Sequence, residues 1–185
     1  MKKESTLKQI FTLTVTLLLI TAGVAAALAG VNTITAPIIE KLNAEKTTKA
    51  IAAVLPDAET ATVVYEASNS ADAVQTVYAS ETGYAVKVQT AGFGGTITMM
   101  VGVDKSGAVL GIDIISHTET ASLGEVAASK SAKGQQFRGQ YVGQTGPLAV
   151  KKDGGTIDAI SSATITSRAV TNGVNTALEF VKTMG

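Results

Sequence analysis

Hydrophobic positions at the amino end form an unbroken run. Residues 10–31 contain no charged side chain, and at 1.5 Å per residue a helix of that length spans about 33 Å, enough for the hydrocarbon core of a bilayer. In Ile38–Leu55, apolar residues recur at helical spacing between Glu and Lys residues, and Pro56 follows. We predict a membrane-spanning helix in residues 1–32 and a helical stalk in residues 33–56.

The pattern changes after Ala61, where short runs of β-branched and aromatic residues are separated by Gly, Asn, Asp and Ser. Such runs predict strands. The tetrapeptide Asp104-Lys105-Ser106-Gly107 is typical of a hairpin connection, with Gly107 able to take positive φ. We therefore expect an antiparallel sheet with strands at Thr62–Glu66, Val74–Ala79, Tyr84–Thr90, Ile97–Val103 and Val109–Ile115.

Helical spacing returns towards the carboxyl end. Residues 123–133 and 135–141 mix helical and loop features, whereas the last segment has apolar residues at a period near 3.6, namely Val170, Val174, Ala177, Leu178 and Val181. The predicted fold class is α+β: one transmembrane helix at the amino end, then a domain in residues 57–185 with an antiparallel sheet and flanking helices.

The apolar run also admits a second interpretation, a cleaved signal peptide, because Lys2 and Lys3 supply a positively charged amino end and Ala27-Leu28-Ala29 resembles a cleavage site. We favour an uncleaved single-pass anchor, since the uncharged stretch continues to Ile39. Lysines flank the span on both sides, so charge asymmetry orients it only weakly. We expect the carboxyl-terminal domain to lie outside the cytoplasm, on the outer face of the cell (inner) membrane.

Composition narrows the possible functions. The chain has 185 residues, zero formal net charge and no cysteine, which excludes disulfides, thiolate metal sites and a cysteine nucleophile. Basic residues are scattered, so we expect no nucleic-acid partner. His117 is the only histidine and no Gly-x-Ser-x-Gly sequence occurs. A multi-histidine metal site is therefore excluded, and a secreted serine hydrolase is disfavoured.

A hydroxyl-rich run, residues 158–167, precedes the last helical pattern. The first N–H groups of a helix lack internal acceptors and carry partial positive charge, so an anion at Thr164 to Ser167 would be stabilised there. Arg168 would add a full positive charge. The ordinary alternative is a simple helix cap.

This run resembles the flavin-attachment motif of the FMN-binding domain family. In that motif an Asp, two spacers, Ser or Thr, usually Gly, then Ala and Thr are recognised by a flavin transferase. The last Thr is joined to the FMN phosphate through a phosphoester. The resemblance implies covalent FMN on Thr164, with Ser162 replacing the usual Gly. It also implies that the recognition string is Asp158, Ser161, Ser162 and Ala163, and that the backbone at Ile165 and Thr166 lies at the phosphate.

Two loops extend the resemblance. Residues 92–97, Gly-Phe-Gly-Gly-Thr-Ile, are similar to a glycine-rich family segment in which Pro stands at the position of Thr96. Residues 119–124, Glu-Thr-Ala-Ser-Leu-Gly, are similar to the family's Glu-Thr-Pro-Gly-Leu-Gly loop, which lies against the flavin. Spacing alone favours a hairpin turn and a polar capping loop. The resemblance implies flavin-binding roles for Gly94, Gly95, Glu119, Thr120, Leu123 and Gly124.

Within that family, the layout of anchor, stalk and domain is similar to the G subunit of Rnf-type ion-translocating electron transport complexes. What this implies is an electron carrier with FMN in a ferredoxin:NAD oxidoreductase, not catalytic alone, with integral-membrane subunits and a flavin transferase as partners. Two alternatives stay open: the C subunit of a sodium-pumping NADH:quinone reductase, and a membrane-anchored binding module without redox chemistry.

Overall fold

The computed structural model describes residues 2–184, which contain three helices and five strands. The helices are α1 (Lys2–Val54), α2 (Ala132–Gly139) and α3 (Thr164–Met184), and the strands are β1 (Thr62–Glu66), β2 (Val74–Ala79), β3 (Gly83–Ala91), β4 (Thr96–Asp104) and β5 (Val109–Ser116). Single 3₁₀ turns occur at Ala58–Thr60, Gly124–Ala127 and Lys151–Asp153. The chain forms two compact units, Met1–Glu45 and Lys46–Gly185.

The first unit is the amino-terminal part of α1. From residue 7 onwards its large apolar side chains are exposed, and the helix is long and apolar enough to cross a membrane. Its threonine hydroxyls donate to backbone carbonyls one turn earlier, as Thr14 does to Ile10 at 2.9 Å and Thr33 to Ala29 at 2.8 Å. Such bonds satisfy polar groups without water, as a lipid environment requires.

The predicted span and stalk lie in one helix, because α1 continues through Pro37 and ends two residues before Pro56. The expected division into residues 1–32, 33–56 and 57–185 stays a prediction. The compact units meet at Glu45 and Lys46, within the segment that the sequence predicts as stalk.

The second unit is built on one antiparallel sheet with strand order β1-β2-β3-β4-β5. The five predicted strands are confirmed: β1 and β2 have the predicted bounds, and the other three differ by one residue at one or both ends. The turn between β4 and β5 is also as predicted, since the Gly107 N–H donates to the Asp104 carbonyl and Gly107 has φ +86°. Local runs of β-branched and apolar residues specify these strands; β2 to β5 each bury part of their residues, whereas β1 is mostly exposed.

Helices cover both faces of this sheet. On one face, α3 buries Val170, Val174, Ala177 and Leu178 against a core that includes Val88, Met99 and Val101. On the other face, the last turn of α1 buries Ile51 and Val54 with Ala85 and Met100. A Cβ at Gly102 would overlap the Val54 carbonyl oxygen, so this glycine permits the close approach.

Three connections come together at one end of the sheet. They are the β3–β4 turn at residues 92–95, the loop that follows β5, and the amino end of α3. The pairs Ala91 with Thr96 and Thr98 with Ser116 place the first two side by side. The packing of α3 against β3 and β4 brings the third to the same place.

Candidate functional site

A cavity of about 310 Å³ opens where these three connections meet. Its volume is at the lower end of the range for small-molecule sites. Each of the three sequence motifs contributes to its wall, which consists of Phe93, Glu119, Thr120, Leu123, Gly124, Ser162, Ala163, Thr164, Ile165 and Thr166. The fold therefore brings together residues more than 70 positions apart in sequence, most of which the sequence analysis selected.

Glu119 joins the three walls of the cavity. Its Oε1 accepts a hydrogen bond from the Gly94 N–H at 3.0 Å, and its Oε2 accepts one from the Thr166 hydroxyl. A Cβ at Gly92 or Gly124 would overlap the carboxylate. Glu119 lines the cavity, as predicted for a ligand-contacting residue, but both of its oxygens also bond to protein donors. Besides the predicted contact with the ligand, Glu119 therefore links the β3–β4 turn to the amino end of α3 through hydrogen bonds.

Gly94 and Gly95 lie in the turn behind the cavity wall and are not among the lining residues. Gly94 is held on both sides, since its carbonyl accepts from the Thr118 hydroxyl at 3.1 Å. The side chain that reaches the cavity from this turn is Phe93, which is 67% exposed. Phe93 was not among the flavin-binding residues predicted from the sequence, although its position as an aromatic residue between glycines could have indicated it.

The amino end of α3 offers unpaired donors to the cavity. The Ser167 N–H donates to the Ala163 carbonyl at 3.0 Å, so the prediction that Ser167 would offer its N–H to an anion is wrong. The N–H groups of Thr164, Ile165 and Thr166 precede that first helical bond. Within residues 2–184 none of the three has a protein acceptor. The half-buried Thr164 hydroxyl lies beside them.

The charges near Thr164 differ from those expected. Arg168, expected to add positive charge, makes a two-point ion pair with Asp153, with Nε–Oδ2 at 2.7 Å and Nη2–Oδ1 at 2.6 Å. The guanidinium holds the pKa of the Asp153 carboxyl below its usual value. The cation at the hydroxyl is instead Lys152, whose Nζ donates to Thr164 Oγ1 at 3.1 Å. No sequence pattern links residues 12 positions apart in this way.

Asp158 and Ser161 belong to the same stretch of chain, residues 158–168, which we call the attachment segment, but they do not line this cavity. They line a second cavity, of about 500 Å³, together with residues of α2. The backbone of Asp158 is held by the Gln140 amide, which accepts from its N–H at 2.7 Å and donates to its carbonyl at 3.2 Å. The Asp158 carboxylate pairs with Lys151 at 2.7 Å and remains 66% exposed. The predicted recognition string therefore spans two cavities.

Comparisons with known proteins show which proteins the chain is similar to. The FMN-binding domain family matches residues 92–179. The chain is 32% identical to the G subunit of the Na(+)-translocating ferredoxin:NAD(+) oxidoreductase complex of Acetobacterium woodii, over 93% of the chain and 91% of the relative. It is 30% identical to the G subunit of the ion-translocating oxidoreductase complex of Methanosarcina acetivorans, over 94% and 95%.

The chain belongs to the G-subunit family of ion-translocating oxidoreductases. With the G subunit of Stutzerimonas stutzeri it is 41% identical over 54% of the chain, and the match covers 45% of that relative. The chain thus spans about half the length of some G-subunit proteins and nearly the full length of others.

Family membership gives meaning to two unusual backbone conformations. Ser122 and Ser162 have φ of +62°, and within residues 2–184 every other residue with positive φ is glycine. These are the two positions at which the family pattern has glycine and this chain has serine. Both serines therefore adopt the left-handed conformation that glycine takes most readily.

The site also fits the phosphate end of FMN. Three N–H groups at the start of α3 and the Lys152 ammonium, which donates to the Thr164 hydroxyl, together offer the kind of donor set that a phosphoryl group requires. The cavity beside them has one aromatic and several apolar wall residues, Phe93, Leu123, Ala163 and Ile165, suited to a flat ring.

Proposed function

We propose that this chain is an electron-carrying subunit of a membrane-bound, ion-translocating ferredoxin:NAD oxidoreductase complex, with FMN attached covalently to Thr164. One observation carries the proposal: the hydroxyl that matches the family's attachment threonine lies in the wall of a cavity, at the start of α3 and next to Lys152. The match to the FMN-binding domain and the G-subunit relatives support it. The bound FMN would supply the electron-transfer chemistry, and the chain would set its position and exposure.

Attachment requires an activated donor, because condensing a hydroxyl with FMN itself would have to expel water. We assign that donor to the class of flavin dinucleotides, used by a flavin transferase. The Thr164 oxygen forms a bond to the flavin-bearing phosphorus, the pyrophosphate P–O bond breaks, and a nucleoside monophosphate leaves. The hydroxyl proton passes to a base or solvent. The chain gains the mass of FMN less one water.

The expected location explains why a covalent bond is useful. With α1 as anchor, the second unit would lie on the extracytoplasmic face, where a dissociable flavin would be lost by dilution. A phosphoester prevents that loss. Other integral-membrane subunits would then supply and accept the electrons, so the chain alone would complete no reaction.

Thr164→Val tests the attachment, because valine keeps the shape and removes the nucleophilic oxygen. After co-expression with a flavin transferase, the parent should gain one FMN less a water on the peptide containing residue 164. Thr164→Ser should retain the flavin and Thr164→Val should carry none, with unchanged circular dichroism. A Thr164→Val chain that still fluoresces as a flavoprotein on a denaturing gel contradicts the proposal.

The alternatives predict other outcomes. The relatives reported above are G subunits, and none of the three is the C subunit of a sodium-pumping NADH:quinone reductase. A binding module without redox chemistry would have an unmodified mass when isolated from its native membrane.

A further inference from the structure

The 3₁₀ turn at residues 151–153 is fixed to the attachment segment on both sides of its threonine. Lys151 Nζ lies 2.7 Å from Asp158 Oδ1, upstream of the threonine. Asp153 Oδ1 lies 2.6 Å from Arg168 Nη2, downstream of it. Two of the three side chains in the turn thus form ion pairs with this segment. The backbone of the turn is held by the Lys151 N–H, which donates to the Ile157 carbonyl at 2.8 Å.

The middle side chain of the turn, Lys152, differs from its neighbours. Its ammonium donates to Thr164 Oγ1 at 3.1 Å. It forms neither of the two ion pairs found among the described residues. The nearby Asp153 carboxylate interacts electrostatically with the Lys152 ammonium, but its ion pair is with the Arg168 guanidinium. Lys152 therefore brings a positive charge, without a carboxylate partner, to the oxygen that would be esterified.

We propose that Lys152 is a positioning residue that binds the ester phosphate on Thr164. This inference rests on the proposed function. A phosphomonoester such as free FMN carries a charge of about −1.5 to −2 at neutral pH, whereas the diester retains a single ionised oxygen. The single positive charge of the Lys152 ammonium therefore balances the single negative charge of the diester. The esterified Oγ1 is a poor acceptor, so the ammonium shifts to a non-bridging phosphate oxygen, which lies two bonds further along.

This contact limits rotation about the bonds between the Thr164 side chain and the phosphate. The contact thereby removes part of the conformational freedom of the tether that carries the flavin ring. Because Lys152 is exposed, the contact is screened by salt, with a Debye length of about 3 Å at 1 M ionic strength against about 30 Å at 0.01 M. A merely structural lysine would not give the phosphate this salt dependence.

The experiment compares four full-length chains in detergent after co-expression with a flavin transferase: parent, Lys152→Gln, Lys152→Arg and Lys105→Gln. The last removes an equal charge from the exposed β4–β5 turn. Intact mass first establishes the ester in each chain. The ³¹P chemical shift and the fluorescence anisotropy decay of the flavin are then measured at low salt and at 1 M salt.

We expect every chain to carry the ester. At low salt, Lys152→Gln should at least double the amplitude of fast ring motion and displace the ³¹P signal, and neither should then respond to salt. Lys152→Arg should restore both observables and Lys105→Gln should match the parent. The proposal is overturned if Lys152→Gln behaves as the parent, if Lys105→Gln changes as much, or if only Lys152→Gln lacks the ester. A parent without added mass contradicts the proposed function itself, and this inference with it.

Discussion

Ser162 is in the left-handed region at φ +62°. The next residue is the buried Ala163, whose carbonyl accepts the first helical hydrogen bond of α3. A side chain in that conformation costs roughly 1–2 kcal/mol, because Cβ approaches the carbonyl oxygen that follows. The bonds around it make the conformation necessary: the Ala163 N–H donates to the Ile160 carbonyl at 3.0 Å, and the Ile160 N–H donates to the Ser167 hydroxyl at 2.9 Å. The strain is therefore fixed by the turn into the helix.

Ser162→Gly should relieve this strain. Glycine costs about 0.5–1 kcal/mol because its unfolded chain has greater conformational freedom. Against the roughly 1–2 kcal/mol of relieved strain, we therefore expect a net gain of between about 0 and about 1.5 kcal/mol in the free energy of unfolding. Ser161→Gly is the matched control, because Ser161 is equally exposed but does not have positive φ, and it should lose about 0.5–1 kcal/mol. Thermal unfolding of the flavin-free chains measures both. Equal losses in the two variants would show that Ser162 carries no strain.

Side-chain partners are the part of the site that sequence reasoning does not reach. The sequence placed Thr164 at a helix start, because caps and spacing are local. From the sequence, the positive charge was expected from Arg168, which follows the hydroxyl-rich run directly. In the structure, Asp153 neutralises the Arg168 side chain, and Lys152 supplies the cation at Thr164. Both partners come from a 3₁₀ turn whose position depends on tertiary contacts. Likewise, serine has no strong preference that would reveal positive φ at residue 162.

At the scale of elements, strands are predicted well and short helical segments poorly. Each strand carries its own run of β-branched and apolar residues bounded by turn residues, so β1 and β2 have the bounds that the pattern predicts. The region between β5 and α3 carries little such information. It forms a 3₁₀ turn, α2 and a long connection, and its position depends on tertiary contacts: the 3₁₀ turn packs against α3, and α2 packs against that turn and β5. Tyr141, just after α2, makes one of these contacts.

Tyr141 connects this region to α3 through a buried hydrogen bond between its hydroxyl and that of Thr171, 2.8 Å long. Burial raises the pKa of the Tyr141 hydroxyl. In the unfolded chain it ionises near pH 10, so its contribution to stability is complete below that pH and is lost as the pH rises towards the folded-state pKa.

Tyr141→Phe should therefore have two effects. At pH 7 the free energy of unfolding should fall by about 1 kcal/mol, because one hydrogen bond is lost while the Thr171 hydroxyl still donates to the Ser167 carbonyl at 2.8 Å. Between pH 9 and 11 the variant should lose stability less steeply than the parent. Urea unfolding of the flavin-free chains at several pH values measures both effects. An unchanged alkaline slope would contradict the assignment of Tyr141 as a buried neutral phenol.

For the whole molecule, the decisive question is on which side of the membrane the second unit lies. The apolar surface and internally bonded threonines of α1 suit a lipid environment, but lysines on both sides of the apolar run give little orientation. The absence of cysteine from the sequence provides a direct test, because a single introduced thiol would be the only one in the chain.

Lys105→Cys places a thiol on the exposed β4–β5 turn, and Lys8→Cys places one near the amino end of α1. If the amino end is cytoplasmic, a membrane-impermeant maleimide added to intact spheroplasts should label Lys105→Cys fully and Lys8→Cys only after permeabilisation. The Cys-free parent controls for background. The opposite pattern would place the second unit in the cytoplasm, where dilution of a free flavin into the medium could no longer explain a covalent tether. The labelling therefore tests the topology and the physical reason for the phosphoester together.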